Sequence, residues 1–144
     1  MLKDIQQTIG FLVVQICKGH RGYAEHLLND IGLHAGQEMF LLYLWEQDGQ
    51  TQTQIAEQMG IQPPTLHKMI ARMESLELVE RRPDDEDGRV SRVYLTTKSR
   101  LLKSEVASAW ESLETRTTAH LTLDERILLR RLLMQVYQNL TDDL

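Results

Sequence analysis

Between Thr51 and Glu77 the chain carries the start and stop signals of two helices in immediate succession, and this restricts the fold more than any other feature. Thr51 is an N-cap residue, and Gln54 three positions on completes a capping box in which each side chain satisfies a free backbone amide of the other. Ile55, Ala56 and Met59 give this short helix an inward side, and Gly60 supplies the left-handed residue that ends it. Ile61-Gln62 makes the turn. Pro63 and Pro64 then fall in the first turn of the next helix, where a missing N–H leaves no bond unmade. That helix is predicted to run to about Glu77. Two helices of this size around a glycine-containing turn are a helix-turn-helix.

A hairpin follows directly. Leu78-Val79-Glu80-Arg81-Arg82 is a strand candidate, residues 83–88 are a polar turn, and Val90-Ser91-Arg92-Val93-Tyr94-Leu95 alternates as the returning strand. A hairpin in this place is a wing. The predicted fold class is therefore mainly α with a small β-hairpin wing: a winged helix-turn-helix lobe over residues 35–96.

The three prolines (Pro63, Pro64, Pro83) lie mid-chain, which leaves both flanks free to form long helices. Residues 2–30 read as one helix through Ile5, Ile9, Leu12, Val13, Ile16, Tyr23, Leu27 and Leu28, weakened at Gly10, Gly19 and Gly22 and ended by Gly32. A second helix spans about 35–47 and stops at Asp48-Gly49. Residues 97–119 carry Leu102, Val106, Ala109 and Leu113 on one side, and Thr122 with Glu125 opens a last helix. These outer helices, 1–31 and 97–144, hold more apolar surface than one small winged domain can cover. A two-fold homodimer is the expected solution, with these helices as its dimerisation lobe.

On a helical wheel of the second helix of the pair, Leu66, Met69, Ile70, Met73, Leu76 and Glu77 share the inward side. Pro64, His67, Lys68, Ala71 and Ser75 lie opposite, with Thr65 and Arg72 on the flank. The outward face is small or basic at its N-terminal end, the end that meets base edges when a helix enters a major groove. Thr65 and His67 are candidate base contacts, Lys68 a contact to guanine or phosphate, and Arg72 a phosphate clamp. Thr51 and Gln52, opening the preceding helix, complete this candidate set. Arg89 follows the wing tip at Gly88 and suits a narrow minor groove, with Asp87 placed to hold its guanidinium. The formal net charge of -5 argues against nucleic acid only globally, because DNA responds to the local field. From 61 to 96 the six basic residues, Lys68, Arg72, Arg81, Arg82, Arg89 and Arg92, face seven acids, which crowd into the helix end and the wing turn.

These segments, in this order, resemble the MarR family of bacterial transcriptional regulators over nearly the whole chain. The residues that carry the likeness are Gly32-Leu33-His34-Ala35-Gly36-Gln37, Thr51-Gln52-Thr53-Gln54-Ile55-Ala56-Glu57, Pro63-Pro64-Thr65-Leu66-His67-Lys68-Met69-Ile70, Leu78 to Asp84, and Asp87-Gly88-Arg89 followed by Val93-Tyr94-Leu95-Thr96. The resemblance implies an obligate homodimer binding a pseudo-palindrome in double-stranded DNA, one helix in each major groove and one wing in each minor groove. It also implies a repressor released by a small, often aromatic, anionic effector held between the dimer and DNA lobes. On that analogy His20, Arg21, Tyr23, His34 and Tyr43 are the candidate pocket residues. Some members sense peroxide through a first-helix cysteine, but Cys17 lies closer to Gly32 than that cysteine would, and the tyrosines that accompany it have no counterpart here. Cys17 is expected to be a small packed residue, with thiol-based redox sensing as the alternative.

Other classes find little support. No His-Glu-x-x-His, glycine-rich phosphate loop or nucleophile elbow is present, so no catalytic residue, metal ligand or cofactor is expected. His20, His26 and His34 do not align on one helix face. A winged-helix protein-interaction module without DNA binding is the remaining alternative, supported by the acidic wing turn. One cysteine excludes an internal disulfide. With no secretory leader pattern, and no apolar run near the roughly 20 residues of a membrane span, the expected location is the cytoplasm.

Overall fold

The computed structural model describes residues 4–142. Seven helices and three short strands follow one another as α1 (Ile9–Asn29), α2 (Gln37–Glu46), β1 (Gln50–Thr51), α3 (Gln52–Met59), α4 (Pro63–Ser75), β2 (Val79–Pro83), β3 (Ser91–Leu95), α5 (Thr97–Leu101), α6 (Lys103–Thr117) and α7 (Leu123–Thr141). The strands form one antiparallel sheet in the order β1-β3-β2, with Val79 opposite Leu95, Pro83 opposite Ser91 and Gln50 opposite Val93. The fold is the expected winged helix-turn-helix flanked by helices. Among the described residues no helix is long and apolar enough to cross a membrane.

Several boundaries differ from the sequence expectation, each for a local reason. The first helix starts at Ile9, because Thr8 adopts an extended conformation and its hydroxyl accepts from the Phe11 amide at 3.1 Å. Ile5–Gln7 is a separate 3-10 turn, and residues 2 and 3 lie outside the described residues. α4 ends at Ser75, so Glu77 is not on its inward face. Glu77 is exposed with φ 59°, and the Leu78 amide reaches back to the Met73 carbonyl at 3.0 Å, closing a Schellman motif on a non-glycine residue. Residues 97–119 divide at Leu102 into α5 and α6, and Thr96 caps α5. β1 was not expected; a two-residue strand offers no alternation to read.

The core gathers Phe40, Leu41 and Leu44 of α2, Ile55 of α3, Leu66, Ile70 and Met73 of α4, and Leu78, Val79, Val93 and Leu95 of the hairpin. α1 adds Ala24 and Leu28, and α6 adds Val106 and Leu113. Each large side chain fully buried here contributes about 1.5–3 kcal/mol, so the three core residues of α4 fix which face that helix turns outward. α7 buries no residue, and Ile127, Leu128, Leu132, Leu133 and Tyr137 on it are exposed, as are Ile9, Leu12 and Ile16 of α1.

Candidate nucleic-acid interface

The outward side of α4 is built by its two ends and its buried stripe. Gly60 takes the left-handed conformation (φ 65°), the Ile61 amide donates to Ala56 O at 3.1 Å, and the chain turns into Pro63 and Pro64 at the start of α4. With Leu66, Ile70 and Met73 inside, Pro64, Thr65, His67, Lys68 and Arg72 are all exposed. Gln52 and His67 meet across a cleft of about 530 Å³ between α3 and α4. The Thr51 hydroxyl is committed to the capping box: it accepts from the Gln54 amide at 3.2 Å, while the Thr51 amide donates to Gln54 Oε1 at 2.9 Å.

The wing is organised by one acid of its polar turn. Asp84 Oδ2 lies 2.5 Å from Arg92 Nε, and Asp84 Oδ1 accepts from the amides of Glu86 (2.8 Å) and Asp87 (3.2 Å). The Arg92 guanidinium, then those two amides, pull the Asp84 carboxyl down to about 2. Arg92 Nη1 also donates to Gly49 O at 2.9 Å, which ties the wing to the end of α2. Asp48 makes the second tie. Its Oδ1 accepts from the Leu95 amide at 2.8 Å, and its Oδ2 accepts from Arg100 Nη2 at 2.9 Å. Only a partner 43 to 52 positions away gives Asp48 and Arg92 these roles, so no local signal could have found them.

Pairing sorts the charges of the winged segment. Arg81 bonds Glu74 at 2.7 Å, Arg82 bonds Glu80 and stacks 4.2 Å from the Tyr94 ring centroid, and Arg92 bonds Asp84. Arg89 Nε sits 3.2 Å from Asp87 Oδ1 with its side chain 92% exposed, the arrangement expected for Asp87. Among the described residues Lys68 and Arg72 have no acidic partner. The six-to-seven count of basic and acidic residues therefore conceals two uncompensated cations side by side on α4.

The five candidate pocket residues do not share one cavity. His20 and Tyr23 line a hollow of about 420 Å³ between α1 and α6, where Arg116 Cζ lies 5.5 Å from the Tyr23 ring and Trp110 meets His20 edge-on. His34 is elsewhere, with Nδ1 2.6 Å from Glu25 Oε1, on the rim of a cleft shared with Lys68 and Arg72. The charge of Arg21 acts on Glu25 and on Glu38, the latter buried at the start of α2. Tyr43 lines none of these cavities; its carbonyl accepts from Gln50 Nε2 at 2.8 Å. A more apolar cavity of about 630 Å³ opens between α2 and α6, lined by Met39, Leu42, Trp45, Lys103 and Trp110 among others. Cys17 is exposed, contrary to the expectation of a packed residue, because α1 turns that side away from the core.

Comparison with known proteins agrees with this geometry. Residues 33–91 match the model of the MarR family. The organic hydroperoxide resistance transcriptional regulator of Bacillus subtilis is 35% identical over 77 residues, which is 54% of this chain and 52% of that regulator. The chain thus spans about half the length of that relative. The crystal structure of a probable transcriptional regulator from Pseudomonas aeruginosa is 25% identical, superposes with a TM-score of 0.83, and is matched over 92% of this chain and 98% of its own. A cysteine-to-serine mutant of MarR from E. coli, complexed with operator DNA, shares the fold at TM-score 0.85 and 23% identity, over 93% of this chain and 99% of its own.

Proposed function

We propose that this chain, a winged helix-turn-helix protein with a MarR-family segment at residues 33–91, is a sequence-specific DNA-binding transcriptional regulator acting in the cytoplasm. The observation that carries the reading is the placement of two uncompensated cations and one outward arginine. Lys68 and Arg72 stand on the exposed face of α4, and Arg89 is held outward at the wing by Asp87. Thr65 and His67 would read base edges in the major groove, and Pro64 would bring the helix start close to the bases. Thr51 and Gln52 would present the first turn of α3 to the backbone, a helix N-terminus that favours phosphate. Arg89 would enter the minor groove.

The functional unit we propose is a homodimer in which α1, α6 and α7 form the dimerisation lobe and residues 35–96 the DNA lobe. The apolar residues exposed along α1 and α7 support it, since a folded monomer rarely leaves so many large apolar side chains in water. Two-fold symmetry then requires a pseudo-palindromic site. Repression is the sense of regulation that follows from the family resemblance. The α2–α6 cavity, apolar with Lys103 and Glu46 both on its wall, suits an aromatic effector that would relieve it. Exposure of Cys17 favours one second reading, thiol sensing; on that reading peroxide weakens DNA binding by the protein and not by its Cys17→Ser variant.

Footprinting on the DNA upstream of the protein's own gene tests the main reading. Two symmetric protected half-sites are expected, bound at moderate salt about 10³-fold or more tighter than random DNA. Binding no tighter than to random DNA would leave the protein-interaction module as the better reading.

A further inference from the structure

The N-terminal edge of α2 and the middle of α4 enclose a cleft of about 310 Å³ lined by His34, Ala35, Gln37, Lys68, Met69 and Arg72. No acid lines it, and two of its walls are the uncompensated cations. Glu25 of α1 clamps its rim: Oε1 lies 2.6 Å from His34 Nδ1, and Oε2 accepts from the Ala35 amide at 2.5 Å. That amide and the His34 ring hold the Glu25 carboxyl below its ordinary range, so it stays ionised at neutral pH. Bonding to a carboxylate keeps the proton on Nδ1. The ring's other nitrogen, Nε2, has no protein partner among the described residues, and the side chain is 53% exposed. Neutral, Nε2 presents a lone pair; protonated, it is a cationic donor beside Lys68 and Arg72.

We propose that His34 is a DNA-phosphate contact, and that binding of the backbone in this cleft takes up a proton at His34 Nε2. The cleft lies a turn behind the base-facing start of α4, on the flank where a duplex backbone runs when the helix start is in the groove. A phosphate between Lys68, Arg72 and His34 favours the imidazolium. The other charges around the ring are Glu25 and Arg21 of α1 and the buried Glu38 of α2. Glu25 favours the charged ring and Arg21 opposes it. Glu38, pushed up by burial, adds a negative charge only where it is ionised. Proton uptake on binding makes operator affinity fall as pH rises.

The inference rests on the DNA-binding reading, and the test separates the two. Affinity is measured by fluorescence anisotropy at 50 and 200 mM chloride, at pH 6 and pH 8, for the full chain and its His34→Gln and His34→Lys variants. The probe is a duplex selected from random DNA. One phosphate contact per subunit adds about 0.9 to the salt slope, so two subunits add a further loss of about 12-fold over this fourfold salt range. The wild type is expected to lose up to about 12-fold more affinity than His34→Gln at pH 6, and a smaller excess at pH 8. His34→Lys, a permanent cation, shows the steep loss at both pH values. His67 is common to all three proteins, so any contribution it makes cancels between them. Equal losses for wild type and His34→Gln at pH 6, with preference for the selected duplex intact, overturn the His34 assignment alone. No preference for that duplex over random DNA in any of the three proteins overturns the regulator reading, and this inference with it.

Discussion

Replacing Gly49 with alanine places a methyl group where two separate features of the structure oppose it. Gly49 has φ 71°, a left-handed conformation that penalises a residue with Cβ by about 1–2 kcal/mol. A Cβ built there lies 2.7 Å from Tyr94 Cε1 and 3.1 Å from Tyr94 Cζ. Such approaches do not occur between unstrained atoms, and forcing extra volume into a packed site costs about 1–3 kcal/mol. Tyr94 is not free to swing away at no cost, because Arg82 stacks on its ring at 4.2 Å. The expected destabilisation is about 2–5 kcal/mol in total. Urea unfolding at one fixed protein concentration reads it as a lower midpoint with an unchanged slope. Repeating the substitution in a Tyr94→Leu background removes the obstacle and leaves only the backbone cost of about 1–2 kcal/mol. A loss below 1 kcal/mol in the wild-type background would refute the reasoning; equal losses in both backgrounds would refute the role given to Tyr94.

On duplexes carrying single base changes, Thr65→Ala and His67→Ala should alter which bases are preferred, whereas Arg72→Ala and Arg89→Ala should weaken all sequences alike, with equal losses for all four contradicting direct readout by α4. Glu38→Gln should raise stability at pH 7 and not at pH 4. Burial holds the Glu38 carboxyl above its ordinary value, so the wild type loses stability as pH rises from about 4.3 through the raised folded value; urea midpoints at the two pH values decide it. Asp84→Asn should flatten the acid limb of thermal unfolding. Asp84 titrates at about 2 in the folded chain, so its contribution is full above the ordinary carboxylate range and disappears as pH falls toward that value; an unchanged acid limb would deny Asp84 its anchoring role.

Elements with signals inside one turn of chain were legible from residues alone. Thr51 with Gln54, Gly60, the Pro63-Pro64 pair and Thr122 with Glu125 each announce a helix end, and the structure places ends there. The alternation of residues 90–95 located the returning strand to within a residue. Glu77 misled because its left-handed conformation is stabilised by bonds to Glu74 and Met73 around it and not by its own side chain. The outward face of α4 was legible in outline, since it follows from the buried stripe of Leu66, Ile70 and Met73. Its charge was not, because pairing of Arg81, Arg82 and Arg92 with acids is a property of the folded hairpin. His34 and Arg72 are 38 positions apart, and only the packing of α2 against the helix-turn-helix puts them on one cleft.

Selection of bound duplexes from a random pool, with the full chain at moderate salt, tests the central claim most directly. The account predicts enrichment of one two-fold symmetric site whose half-sites are about one helical turn apart, 10–10.5 base pairs, or a multiple of it. It also predicts that the His67→Ala protein enriches a site altered within the half-sites and unaltered in their spacing. A pool that stays random after repeated rounds, or one that converges on a site without symmetry, would contradict it.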